Sequence, residues 1–140
     1  MNIKILRNWL SNCPYIAAPV TLEYLEESPG AVALLSEDTR EISRRQDVVG
    51  NAWVTRRSRF SLLRRVPRRS DGEGYAQWLL DLQGWLQEKN VNWENPQMGP
   101  YITRVQIAAH EGRLQEDTAD GMGIYKVSLD VEYVKIYPAK

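Results

Sequence analysis

The chain has 140 residues, 43% of them hydrophobic, and its 18 basic and 18 acidic side chains cancel to a formal charge of zero. That length suits a single domain, residues 1–140, burying about two-thirds of its unfolded surface, and the composition excludes disorder. A single cysteine (Cys13) and a single histidine (His110) exclude an intramolecular disulfide, a thiolate metal cluster and a histidine-based zinc site.

No apolar run approaches the ~18 residues of a membrane-spanning helix. The opening "MNIKILRNWLSNCP" places charged and polar residues where a signal peptide needs an apolar stretch, so a protein made in the cytoplasm is expected. The first segment sets Ile3, Leu6, Arg7 and Leu10 at helical spacing, and Ser11-Asn12-Cys13-Pro14 ends it. Val20 to Leu25 reads as a strand. Glu26 to Gly30 is a turn by composition, and Ala31 to Leu35 resumes as a short strand.

Glu41–Gln46 and Ala52–Val66 are expected to be extended, separated by Asp47-Val48-Val49-Gly50-Asn51. In the longer one, Val54, Phe60, Leu62 and Val66 hold the apolar positions, while Arg56, Ser58 and Arg64 interrupt them. A bulge, or a strand that leaves the sheet as an arm (about 52–69), accounts for the slips. Ser70-Asp71-Gly72-Glu73 matches a capping box. The helix behind it carries an apolar stripe of Tyr75, Trp78, Leu79, Leu82, Trp85 and Leu86, expected to lie on a sheet as core.

Asn90–Pro100 reads as a loop, with Trp93 tucked back onto the domain. Tyr101–Ala109 reads as a strand. The polar, glycine-bearing stretch 111–123 reads as a long hairpin loop. In the last strand Tyr125, Val127, Leu129, Val131 and Tyr133 alternate with mainly polar residues, as a core strand with one wet face does. The expected fold class is α+β: a single antiparallel β-sheet with a long amphipathic helix and a short N-terminal helix packed on one face.

No phosphate-binding loop, dinucleotide fingerprint, zinc-protease motif or calcium loop is present, and nothing supports a Cys13 or serine triad with His110. Catalytic, cofactor and metal sites are therefore expected to be none, and the protein is read as a non-enzyme. The chemistry concentrates in Arg56, Arg57, Arg59, Arg64, Arg65, Arg68 and Arg69, seven arginines in fourteen residues. Net charge is −3 over residues 1–39, +8 over 40–69 and −5 over 70–140. Arginine pairs with phosphates and equally with carboxylates at protein interfaces. A subunit or partner interface ranks first for the run, ahead of DNA proximity and of a merely solvated strand face.

The layout "NWLSNCP", "VTLEYLEESPGAVAL", a basic strand, "YAQWLLDLQGWLQEKN" and a closing "VSLDVEYVKIYP" resembles the tail terminator and minor capsid (head-tail joining) proteins of tailed bacteriophages and phage-tail-like particles. The resemblance implies a homo-oligomeric ring, usually a hexamer, in the virion tail or neck. Such a ring caps the tail-tube protein and meets a head connector, with DNA passing through its lumen unread. It implies no cofactor, no membrane and no catalytic residue. A +8 segment between acidic ones suits head-to-tail ring closure. The alternatives are a head-completion or neck adaptor protein, and a DNA-binding module using the Arg56–Arg69 run.

Overall fold

The computed structural model describes residues 1–16, 19–67, 73–118 and 121–140; of Glu73 only the backbone is described. The elements run α1 (Ile3–Ser11), β1 (Val20–Leu22), β2 (Val32–Gln46), β3 (Ala52–Pro67), α2 (Glu73–Val91), β4 (Ile102–Asp117) and β5 (Met122–Tyr137). Five strands form one sheet in the order β1-β2-β3-β5-β4.

Asn2 starts α1 by accepting the Lys4 backbone N–H at 3.0 Å, as an N-cap should. Leu6 and Leu10, one turn apart, are fully buried, each contributing about 1.5–3 kcal/mol of transfer free energy. Trp9 and Trp85 meet with ring centroids 4.8 Å apart and tie α1 to α2. From α2, Trp78, Leu82 and Leu86 are buried, while Tyr75, Leu79 and Trp85 are half-buried at the margins. They join Phe60 and Leu62 of β3 and Val127, Leu129, Val131 and Tyr133 of β5 in one core on one side of the sheet. Tyr125 is half-buried and stacks on Tyr75 at 3.9 Å.

The expected α+β fold on a single antiparallel sheet is corrected in two respects. The molecule is mostly sheet, about half strand, and the sheet is mixed. β1 pairs parallel with β2, Val20 against Val32 and Leu22 against Leu34, whereas the β2–β3, β3–β5 and β5–β4 pairs are antiparallel. Residues 23–31 carry the chain back across the sheet's end. Arg65 anchors that crossing through Gly30 N–H to Arg65 C=O (2.7 Å), Arg65 N–H to Ala31 C=O (2.9 Å) and Arg65 Nε to Glu26 C=O (3.1 Å). Glu23 and Gly30 take left-handed φ of 67° and 82° to turn it. Strand direction is not encoded in apolar alternation, so the sequence pattern is equally compatible with either pairing.

The strands are also longer than their composition suggests. The 111–123 segment is not a long loop: β4 continues to Asp117 and β5 begins at Met122, leaving residues 118–121 as the connection. Trp93 does not pack back; it is 73% exposed at φ 56°. The Ala52–Val66 strand stays in the sheet, paired with β5 without a register break from Ala52 to Pro67. The bulges lie instead in β2 and β4. The Ser70 capping box, Arg68 and Arg69 lie outside the described residues or side chains.

Candidate functional site

Pairing sorts the arginines of β3 onto both sides of the sheet. Arg56 and Arg64 share the helix-covered side with Phe60 and Leu62, and Arg57, Arg59 and Arg65 take the other. On the open side Arg57 Nη2 meets Glu132 Oε2 at 3.0 Å, and Arg59 Nε meets Asp130 Oδ1 at 3.0 Å. His110 Nε2 lies 2.8 Å from the other Asp130 oxygen. Burial opposes ionisation of Asp130, but the bonds from Arg59 and His110 outweigh it and hold the carboxyl below its ordinary value. On the helix side the Arg64 guanidinium sits 4.7 Å over the Trp78 ring, and burial pushes its pKa down. Arg65 is buried and bound to the Glu26 carbonyl. Arg56 Nε is buried without a hydrogen-bond partner among the described residues. The five described members are therefore dispersed: two are neutralised, three are wholly or partly buried, and those five form no common basic surface.

Cys13 and His110 are not brought together. Cys13 is buried in the helix-side core, where burial raises its thiol pKa, and His110 faces Asp130 on the opposite side. Among the described residues no group of three His, Cys, Asp or Glu side chains could hold a metal ion. No helix there is long and apolar enough to cross a membrane.

The sheet's two edges differ sharply. β4 pairs only with β5, and its outer backbone is occupied by amide side chains from α2 and the loop after it. Asn90 Nδ2 donates to Ile107 C=O (2.9 Å) while its Oδ1 accepts Ile107 N–H (3.0 Å), both bonds buried. Gln83 Nε2 donates to Ala109 C=O (2.9 Å), Asn95 Nδ2 to Val105 C=O (2.6 Å) and Gln97 Nε2 to Ile102 C=O (2.9 Å). From Ile102 to Ala109 that edge is closed, one of the ways proteins blunt a strand edge.

The opposite edge is covered only at its start. β1 pairs with Val32–Leu34, and the Glu23 carboxylate accepts the Ser36 N–H at 2.9 Å. From Glu37 to Gln46 no described strand or side chain bonds to β2 from outside, and every residue from Ser36 to Gln46 is exposed. Ile42 is the unpaired extra residue of a bulge between Glu41 and Ser43, and Arg40, Arg44 and Arg45 lie toward the far end of a stretch whose Glu37, Asp38 and Glu41 balance them in formal charge. The turn beyond is held rigid by Asp47, whose carboxylate accepts the backbone N–H groups of Val49 (3.1 Å) and Asn51 (2.9 Å). It displays Val48 and Val49 to solvent. The sequence does not mark these residues as a site: the adjacent Arg44-Arg45 pair is visible in it, but nothing in that pair signals a free edge.

No family model matches the sequence, and no curated protein matches it. A solved structure shares the fold at a TM-score of 0.51, covering 96% of this chain and 91% of its own with 20% identity. A likeness at that identity shows the fold alone.

Proposed function

We propose that the protein is a structural subunit that assembles with copies of itself head to tail into a closed ring, and that the ring is a tail terminator capping the tube of a phage or phage-tail-like particle. The observation that carries assembly is the free edge from Glu37 to Gln46, beside an opposite edge that is closed. An unpaired edge of that length is a template for strand addition by another chain. The copy-to-copy contact sets the arginines at the far end of this edge, Arg40, Arg44 and Arg45, against an acidic segment of the next subunit, for which the distal half of β4, with Glu111 and Glu116, is the candidate. A contact between two different patches closes into a ring when its rotation permits. The terminator role itself comes from the sequence resemblance, with tail-tube protein and head connector as the neighbours and DNA passing through the lumen.

The interface is charged, so it weakens as salt screens it. Sedimentation of the purified chain is expected to show a ring-sized species at low salt and monomer at high salt. Electron microscopy of purified tail tubes mixed with it should show rings seated on tube ends. A monomer at every salt concentration that also fails to bind tubes removes the reading.

A further inference from the structure

The open face of the sheet holds a second arrangement of arginines, at the end away from the crossing loop. Register aligns Ser43, Thr55, Val134 and Thr103 in one row across β2, β3, β5 and β4. Three of these four residues carry hydroxyls. The row lines a hollow of about 440 Å³, walled by Arg44, Arg45 and Arg104 and by Trp53, with no described carboxylate in the lining. That volume lies in the range of small-molecule sites, ~300–1,000 Å³.

Three features separate these arginines from Arg57 and Arg59 on the same face. Arg45 and Arg104 make no ion pair with a described carboxylate, and Arg44 alone is shared, with Glu41 at 2.8 Å. The Arg45 guanidinium stacks 4.7 Å from the Trp53 ring, which orders it without consuming an acceptor. Arg104 is the extra residue of a β4 bulge, held at a left-handed φ of 55°, while its neighbour Val105 turns into the core. Glycine takes that conformation without strain, whereas a side chain there is tolerated where surrounding structure enforces it, a pattern common at ligand clamps.

We infer that this hollow binds phosphoryl oxyanions. Guanidinium forks pair bidentately with phosphate oxygens and hydroxyls donate to the remaining ones; Arg45, Arg104 and the hydroxyl row offer both, with no described carboxylate in the lining of the hollow. Free phosphate and the phosphodiester backbone of nucleic acid share this chemistry. The site rests on the geometry of the open face and stands whether or not the subunits form rings.

The test is an amide and indole NMR titration of the full chain with inorganic phosphate and, separately, with a 16-base-pair DNA duplex, each against sodium chloride at matched ionic strength. Saturable shifts are expected at the Trp53 indole and the Arg104 amide. Arg45→Gln and Arg104→Gln should each weaken the binding at least tenfold, and Arg7→Gln on α1 should leave it unchanged. Saturation by phosphate establishes a small-anion site; saturation by the duplex alone establishes a backbone site. The inference is overturned if neither probe exceeds the chloride control, or if both glutamine variants, shown folded by their spectra, titrate like the parent.

Discussion

The outer backbone of β4 from Ile102 to Ala109 meets Gln83, Asn90, Asn95 and Gln97, while that of β2 from Glu37 to Gln46 meets nothing among the described residues. Both are edges of one sheet with the same intrinsic tendency to recruit another strand. A sheet protein must manage each exposed edge, and among the described residues this one sets four amides on the β4 side and none on β2 from Glu37 to Gln46. The asymmetry leaves strand addition by another chain one of these two stretches, and head-to-tail assembly then needs a second, different patch on the neighbouring copy, the role proposed for the distal half of β4.

Substitution of Asn90 breaks the comparison most severely. Asn90→Leu leaves the Ile107 N–H and C=O buried without partners, at about 1–3 kcal/mol for each group. Urea unfolding should show a loss of about 3 kcal/mol, accompanied by aggregation as the β4 edge opens.

Gly112→Ala is milder. An added Cβ would stand 2.5 Å from Leu79 Cδ2 and 2.9 Å from Tyr75 Oη, both ends of side chains able to swing aside. Overpacking of this kind costs about 1 kcal/mol where neighbours yield, read as a shifted denaturation midpoint.

On the open face, acid should undo a contact that the edges do not use. The folded Asp130 carboxyl lies below its ordinary value of 3.8, so its stabilisation is complete above that value and lost as pH falls through the folded value. Asp130→Asn should therefore be less stable than the parent at pH 7, with the gap narrowing toward pH 2 in parallel urea titrations. A gap independent of pH would rule out the ion-pair account.

The gentlest change falls on the free edge. Ile42 has no ladder partner on β3, so Ile42→Pro should alter the stability of the isolated chain by less than about 0.5 kcal/mol. Sedimentation at low salt should nonetheless show that ring formation is lost, because proline blocks strand addition.

Legibility in the sequence followed burial. The stripe from Tyr75 to Leu86 and the alternation from Tyr125 to Tyr133 mark residues that the structure places in or at the margin of the core, since both patterns report which side chains leave water. Polar strands left no such mark. Residues 36–40 and 111–117 are strands held by a neighbouring ladder, and their composition resembles that of loops. The strand at Val20 is legible, but its parallel pairing is not, because direction leaves no trace in alternation. The arginine run is conspicuous in sequence, but its pairing is not legible there: Glu132 and Asp130, more than seventy positions away, neutralise Arg57 and Arg59. Arg45 and Arg104 stand apart only because a bulge and a cross-sheet row place them on one hollow.

Amide hydrogen exchange on the assembled and dissociated chain tests the central claim most directly. On transfer from high to low salt, amides within Glu37–Gln46 should slow by at least tenfold, while those from Ile102 to Ala109 keep their rates. Rings that form with no change from Glu37 to Gln46, or with new protection from Ile102 to Ala109, would contradict assembly through the free edge.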